Sequence, residues 1–231
     1  MKNYLKKILF LKKSNASFNI IFLFLIIKIK NIIFKNKIKN FKKKNINFLK
    51  SKKITFDYFS SHSYYFHSVI NNKAFKNILE IGSFEGNSSM FFARNLRNTK
   101  IFCVDSWIGT EEYKDLSFKS LEKNFDENIK EYSNIYKFKC TSDEFFKNNK
   151  ISFDLIYIDG YHKAEQVIKD FKNSWQFLNK EGIIIFDDYI WKFFDNMKDN
   201  PCFAINLCLN ELRDQYKVLK VTNSQLFIKK I

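Results

Sequence analysis

The sequence predicts a doubly wound α/β domain with a mostly parallel sheet that ends in an antiparallel hairpin, preceded by a basic, apolar helical tail. Three observations carry that prediction. From Asn77 onward, short apolar runs alternate with amphipathic stretches. The runs are continuously apolar, as strands covered on both faces are. The charge is also partitioned: residues 1–53 hold 16 lysines with no arginine and no carboxylate, whereas residues 54–231 hold 24 basic and 24 acidic residues.

The net charge of +16 therefore belongs to the tail. The remaining chain, residues 54–231, is formally neutral and long enough for one domain with a full core. This excludes a protein that coats nucleic acid over its whole surface. Lysines outnumber arginines 37 to 3, and Phe, Ile and Asn are abundant, as in an AT-rich coding sequence. Part of the basicity is then codon usage. Cys103, Cys140, Cys202 and Cys208 show no C-x-x-C and no metal spacing. They read as small hydrophobes in a reducing compartment, against zinc fingers and disulfide scaffolds.

In the tail, Ile20–Ile27 is an uninterrupted apolar run of eight. A bilayer needs about 20 such residues, and Lys28 and Lys30 replace the small residues of a cleavable signal. Phe34, Ile38, Phe41 and Phe48 recur on one helical face with lysines on both sides. That pattern suits a helix lying in an anionic membrane surface, which would place a cytoplasmic protein at the inner face of the membrane. The alternatives are a transmembrane span, a leader without order, a helix packed on its own domain, and an RNA-binding arm. Arginine is absent and the aliphatic run is costly to expose, so nucleic acid is not the expected partner.

The domain opens with a lead-in helix at Phe56–Ile70. Strands follow at Ile78–Ile81, Ile101–Val104, Tyr136–Cys140, Phe153–Ile158 and Ile183–Phe186. Helices between and after them lie at Ser88–Leu96, Ser117–Lys130, Ser142–Asn148, Ala164–Leu178 and Phe203–Arg213. Tyr216–Val221 and Gln225–Lys229, joined by Asn223-Ser224, form the closing hairpin.

Ligands of such sheets bind at the carboxyl ends of the strands. The first strand ends in Glu80-Ile81-Gly82-Ser83-Phe84-Glu85-Gly86-Asn87-Ser88. Gly82 and Gly86 permit a tight turn and close ligand approach. Phe84 and Asn87 exclude the dinucleotide G-x-G-x-x-G, and Glu80 would repel a pyrophosphate but welcome an amino group. The second strand ends in Asp105-Ser106-Trp107, where a carboxylate can accept both hydroxyls of a ribose. The fourth ends in Asp159-Gly160-Tyr161-His162 and the fifth in Asp187-Asp188-Tyr189. Three converging carboxylates repel unless a cation lies between them, and their hard oxygens suit Mg²⁺, Mn²⁺ or Ca²⁺. Paired acid/base carboxylates and solvated loop acids are the competing explanations.

These four elements together resemble class I S-adenosylmethionine-dependent methyltransferases, within them a bacterial family with the same I-D-G-x-H element and the macrocin- and catechol-type O-methyltransferases. The resemblance covers about Asn77 to Ile231. It implies a Rossmann-like seven-stranded sheet and an O-methyltransferase acting on a small molecule or a glycan or envelope precursor. Glu80, Gly82, Ser83, Gly86 and Ser88 would then line the methionine part of S-adenosylmethionine. Asp105 would hold the ribose with Ser106 and Trp107 beside it, and Ser142 would lie near the adenine. Asp159, Asp187 and Asp188 would bind Mg²⁺ or another divalent cation. His162 stands where the catechol type has its lysine base, so the resemblance leaves it as either the base or a partner of Asp159. A same-fold enzyme that does not methylate, of the cephalosporin-hydroxylase-like kind, is the alternative, as is an RNA methyltransferase using the tail. The N/D-P-P-Y platform and the cysteine nucleophile of DNA-base methylation are both absent from the strand ends.

Overall fold

The computed structural model describes residues 2–113 and 118–231. Helices α1 (Lys2–Lys13), α2 (Phe18–Ile33), α3 (Lys35–Leu49) and α4 (Ser63–Ile70) come first. They are followed by β1 (Asn77–Ile81), α5 (Asn87–Asn95), β2 (Lys100–Asp105), α6 (Phe118–Ile129) and β3 (Ile135–Lys139). Next are α7 (Ser142–Asn148), β4 (Phe153–Ile158), α8 (Ala164–Phe177) and β5 (Leu178–Phe186). The chain closes with α9 (Pro201–Leu212), β6 (Tyr216–Val221) and β7 (Leu226–Lys230). The expected helix start at Ser117 lies outside the described residues.

Seven strands form one mixed sheet in the order β3-β2-β1-β4-β5-β7-β6. β1 pairs parallel with β2, β2 with β3, and β4 with β5. β7 runs antiparallel to both β5 and β6, which is the expected closing hairpin. β5 starts five residues earlier than its apolar run. Leu178 pairs with Phe153, and the register then shifts before Leu155 meets Ile183. The polar stretch Asn179-Lys180-Glu181 is thus an irregularity within the strand, with Glu181 at φ 64°.

The chain divides into two compact units, one built from Met1–Lys30 with Phe146–Ile231 and the other from Asn31–Phe145. The division does not fall at residue 53. In the first unit the core is β4 and β5, whose apolar residues are buried from Leu155 to Ile158 and from Ile183 to Phe186. Phe171 of α8 packs edge-on to Phe186 with ring centroids 4.8 Å apart. The α1–α2 hairpin belongs to this core. Leu11, Ile20, Phe24 and Ile27 are buried, and Tyr4 stacks on Phe24 at 4.8 Å. Two polar ties hold it down: Asn206 Nδ2 donates to the Ser14 carbonyl at 2.9 Å, and Lys7 Nζ donates to the Asn223 carbonyl at 2.8 Å.

In the second unit α3 packs on α4. The stripe expected to face a membrane is largely covered: Phe41 lies 5.7 Å from Tyr64 and 4.6 Å from His67, and the Arg94 guanidinium sits 3.9 Å over Phe48. Buried Asn45 accepts from Arg94 and donates to Ser60 Oγ at 2.8 Å, fastening α3 to the loop before α4 and to α5. No described helix is long and apolar enough to cross a membrane.

Candidate active site

In the unit Asn31–Phe145, the glycine loop leaves β1 through a backbone that ordinary residues avoid. Gly82 and Gly86 have φ 87° and 83°, and Phe84 between them has φ 49°. At Gly86 a Cβ would stand 3.1 Å from the Phe125 ring, which would have to give way, and the positive φ itself favours glycine. Trp107 after β2 is also at positive φ, 50°. Non-glycine residues held there cost of order 1–3 kcal/mol each and persist where the surroundings force them. The forcing contacts are visible. Asp105 accepts from the Phe84 amide at 2.9 Å and the Trp107 amide at 2.7 Å, and Trp107 Nε1 donates to the Phe84 carbonyl at 2.7 Å. Burial raises the Asp105 pKa, opposed by these amides. The carboxylate expected to hold a ribose therefore also ties the two loops together.

Glu80 is fully buried. Its Oε2 accepts from Ser89 and, at 3.4 Å, from the Cys103 thiol. Burial raises its pKa, while Ser88, Ser89 and Ser83 favour the ionised form. Even so, Oε1 completes no hydrogen bond, and neither does the buried Ser83 hydroxyl. A buried carboxylate oxygen and a hydroxyl left unanswered beside a glycine cradle fit a cationic amino group, as the methionine end of S-adenosylmethionine carries. Ser88 is buried in the first turn of α5, and the Ser106 hydroxyl caps its own turn by accepting from the Ile108 amide at 3.4 Å. Ser142 is half-buried at the start of α7. The helix is opened by a capping box, in which Glu144 accepts from the Thr141 amide and hydroxyl, each at 2.9 Å.

In the other unit, His162 Nε2 lies 3.6 Å from Asp159 Oδ1 and 3.6 Å from Asp188 Oδ2. Donor atoms of these three residues all fall within 4.8 Å of one another. That separation is too long for hydrogen bonds and close to the span of ligands about 2.0–2.2 Å from one ion. Asp188 is held at φ 46°, and Ser224 Oγ donates to its Oδ1 at 3.3 Å.

Asp187 is turned elsewhere. It accepts from Gln225 Nε2 at 2.7 Å, from the Asp188 amide at 2.8 Å and from the Tyr157 hydroxyl. The same hydroxyl stands 2.7 Å from Asp159 Oδ2, yet a phenol has one hydrogen for two carboxylates. The surplus negative charge shows in Asp159, pushed up to about 8 by burial and then by Asp187, against His162. Its side chain keeps 30% of its surface accessible, so a cation can reach it. Two carboxylate oxygens, an imidazole nitrogen and excess negative charge fit a divalent metal. The cluster that the structure brings together is Asp159, His162 and Asp188, whereas Asp187 of the expected three aspartates turns toward Tyr157 and Gln225. Tyr157 could have been found from its place two residues before Asp159 on the same strand face. Gln225, in the β6–β7 turn, carried no such signal.

From Leu79 to Tyr189, a span containing both clusters, the sequence matches a family model described as a methyltransferase domain. An uncharacterised protein of Acanthamoeba polyphaga mimivirus is 26% identical over 111 residues, 48% of this chain and 50% of that one. The chain thus spans about half the length of the curated relative it matches. A proposed caffeoyl-CoA O-methyltransferase from Staphylococcus aureus superposes with a TM-score of 0.58 at 17% identity, covering 90% of this chain and 100% of that one. An O-methyltransferase of Streptomyces achromogenes involved in tomaymycin synthesis, in complex with S-adenosylmethionine, superposes at 0.53 and 13% identity, covering 71% and 77%. At such identities the likeness establishes the fold alone, a Rossmann-like mixed seven-stranded sheet.

Proposed function

We propose that the chain transfers a methyl group from S-adenosylmethionine to a hydroxyl oxygen of a small molecule or glycan, assisted by a divalent cation. One observation carries this reading: within a methyltransferase domain, buried Glu80 leaves Oε1 without a partner beside the Gly82–Gly86 loop. The donor, when bound, supplies an electrophilic methyl on a sulfonium. Glu80 would accept from its ammonium, Asp105 from the ribose hydroxyls, and Ser142 would stand near the adenine. Because the sulfonium reacts best with an oxyanion, the protein's task is to position the acceptor and remove its proton. Asp159, His162 and Asp188 would hold the cation, which lowers the pKa of an acceptor hydroxyl. With Nε2 turned toward both carboxylates, His162 is better placed as a ligand than as a free base.

Calorimetric titration with S-adenosylmethionine tests the donor site directly. A radiolabelled-methyl screen of cytosolic and envelope extracts, with and without chelator, tests the transfer. Absence of donor binding would end the proposal, and label incorporation unaffected by chelator would remove the cation from it. The nitrogen donor in the cluster favours one second reading. Imidazole suits Mn²⁺, Fe²⁺ or Zn²⁺ better than Mg²⁺, as a same-fold enzyme that does not methylate would need. Metal-dependent substrate turnover without label transfer would select it.

A further inference from the structure

The α2 helix has two apolar faces, and the structure uses one. Ile20, Phe24 and Ile27 are buried in the core of their unit. On the opposite side Phe18, Phe22, Leu25 and Ile29 recur at spacings of four, three and four, a single stripe about 16 Å long. They are exposed to 81%, 49%, 42% and 61%. Phe18 and Phe22 stack on each other with centroids 6.3 Å apart. Leu5 and Leu9, one turn apart on α1, are exposed as well. Apolar area of this kind, concentrated on one ridge, marks an interaction surface.

Charge decides among the occupants. Residues 2–30 contain seven lysines and no acidic residue. At 100° per residue, Lys28 and Lys30 fall on either side of the α2 stripe; the Lys28 ammonium stands 4.8 Å over the Tyr4 ring, and the Lys30 stem can lie along the apolar ridge. Lys30 also adds to burial in pushing Lys220 down to about 8. A second copy of the chain would bring the same lysines against these. An RNA would meet aliphatic Leu25 and Ile29 where bases need stacking platforms or arginine. Anionic lipid answers both the ridge and its flanks.

We propose that the outward stripe Phe18–Phe22–Leu25–Ile29, flanked by Lys28 and Lys30, docks the protein flat on an anionic phospholipid surface. The hairpin does not cross the bilayer. Its inner face stays on the protein through Phe24, Ser14 and Lys7, so docking needs no unfolding of the tail. This surface is distinct from the Phe34–Phe41–Phe48 stripe, which α4 and α5 occupy. The proposal is independent of the methyl-transfer reading.

The experiment is co-sedimentation of the full chain with vesicles of phosphatidylcholine alone or mixed with phosphatidylserine. The wild type should pellet with the mixed vesicles only, and less so as salt is raised. The variant F18Q/F22Q/L25Q/I29Q should bind at least about tenfold more weakly, with an unchanged urea midpoint because all four side chains face solvent. F18Q alone, at the most exposed position, gives a milder loss if the fourfold variant folds poorly. K28Q/K30Q should weaken binding and flatten its salt dependence. Equal pelleting of wild type and F18Q/F22Q/L25Q/I29Q would overturn the proposal. So would failure of the wild type to pellet, or light scattering showing a dimer that the same variant dissociates. Binding of single-stranded RNA through these four residues, without vesicle binding, would overturn it too.

Discussion

Replacing Glu80 by glutamine should make the free protein more stable and the donor site weaker, a pair of changes that a purely structural glutamate cannot produce together. The glutamine carbonyl can take the place of Oε2 and still accept from Ser89 and Cys103. The amide then occupies the position of Oε1, the oxygen without a partner, and can donate to the Ser83 hydroxyl. Removing a buried charge whose second oxygen is unanswered should relieve about 1–2 kcal/mol at neutral pH. A charge-assisted hydrogen bond to the donor's ammonium is worth about 1.5–3 kcal/mol, so the dissociation constant should rise roughly tenfold to a hundredfold. The pH dependence has a defined sign. The folded-state pKa of Glu80 is raised, so its contribution to stability is fully present below the unfolded-state value. It is lost as pH rises through the folded-state value. The stability difference between variant and wild type should therefore be small in acid and widen toward neutrality. Urea unfolding across pH, with calorimetric titration of the donor, reads both effects. A variant less stable than wild type by more than about 1 kcal/mol, with unchanged donor affinity, would refute the reasoning.

Three further outcomes are expected. Asp188→Ala should abolish Mn²⁺ binding by calorimetry, whereas Asp187→Asn should weaken it severalfold while lowering stability, because Asp187 anchors Tyr157 and Gln225; equal losses would put Asp187 among the ligands. Gly86→Ala, forced into φ 83° against Phe125, should cost about 1–3 kcal/mol of stability and most donor affinity, checked by thermal melts and titration. Asn45→Ala leaves the Arg94 guanidinium without that acceptor in a partly buried site, and should cost about 1–3 kcal/mol in urea unfolding with the donor affinity unchanged.

Much of the sheet was legible because its strands are short apolar runs separated by polar helices. β4, β6 and α7 begin and end at the residues expected, since Asp159 and Thr141 punctuate them unambiguously. β5 was legible only from Ile183, because Asn179-Lys180-Glu181-Gly182 has the composition of a turn and interrupts the register between Leu178 and Ile183. The glycine loop and the carboxylates at the ends of β1, β2, β4 and β5 were visible by position alone. What position could not supply was direction. Asp187 and Asp188 are adjacent, and only the positive φ at Asp188 sends one toward His162 and the other toward Gln225. The tail misled for a related reason. Lysines bordering the Phe34–Phe48 stripe match a membrane helix, but the partners that cover it, Tyr64, His67 and Arg94, lie 16 or more residues away.

The unit made of Met1–Lys30 and Phe146–Ile231 joins the beginning of the described chain to its end, and that has a consequence for biosynthesis. Asn31–Phe145 is contiguous, so the whole of it is synthesised before Phe146–Ile231 begins. The apolar run Ile20–Ile27 must wait for β4, β5 and α9, more than a hundred residues later. At about 5–20 residues per second that is a delay of roughly ten to forty seconds, during which Ile20, Phe24 and Ile27 have no core to enter. A nascent chain with such an early, unpacked hydrophobic segment is exposed to aggregation until the later strands arrive.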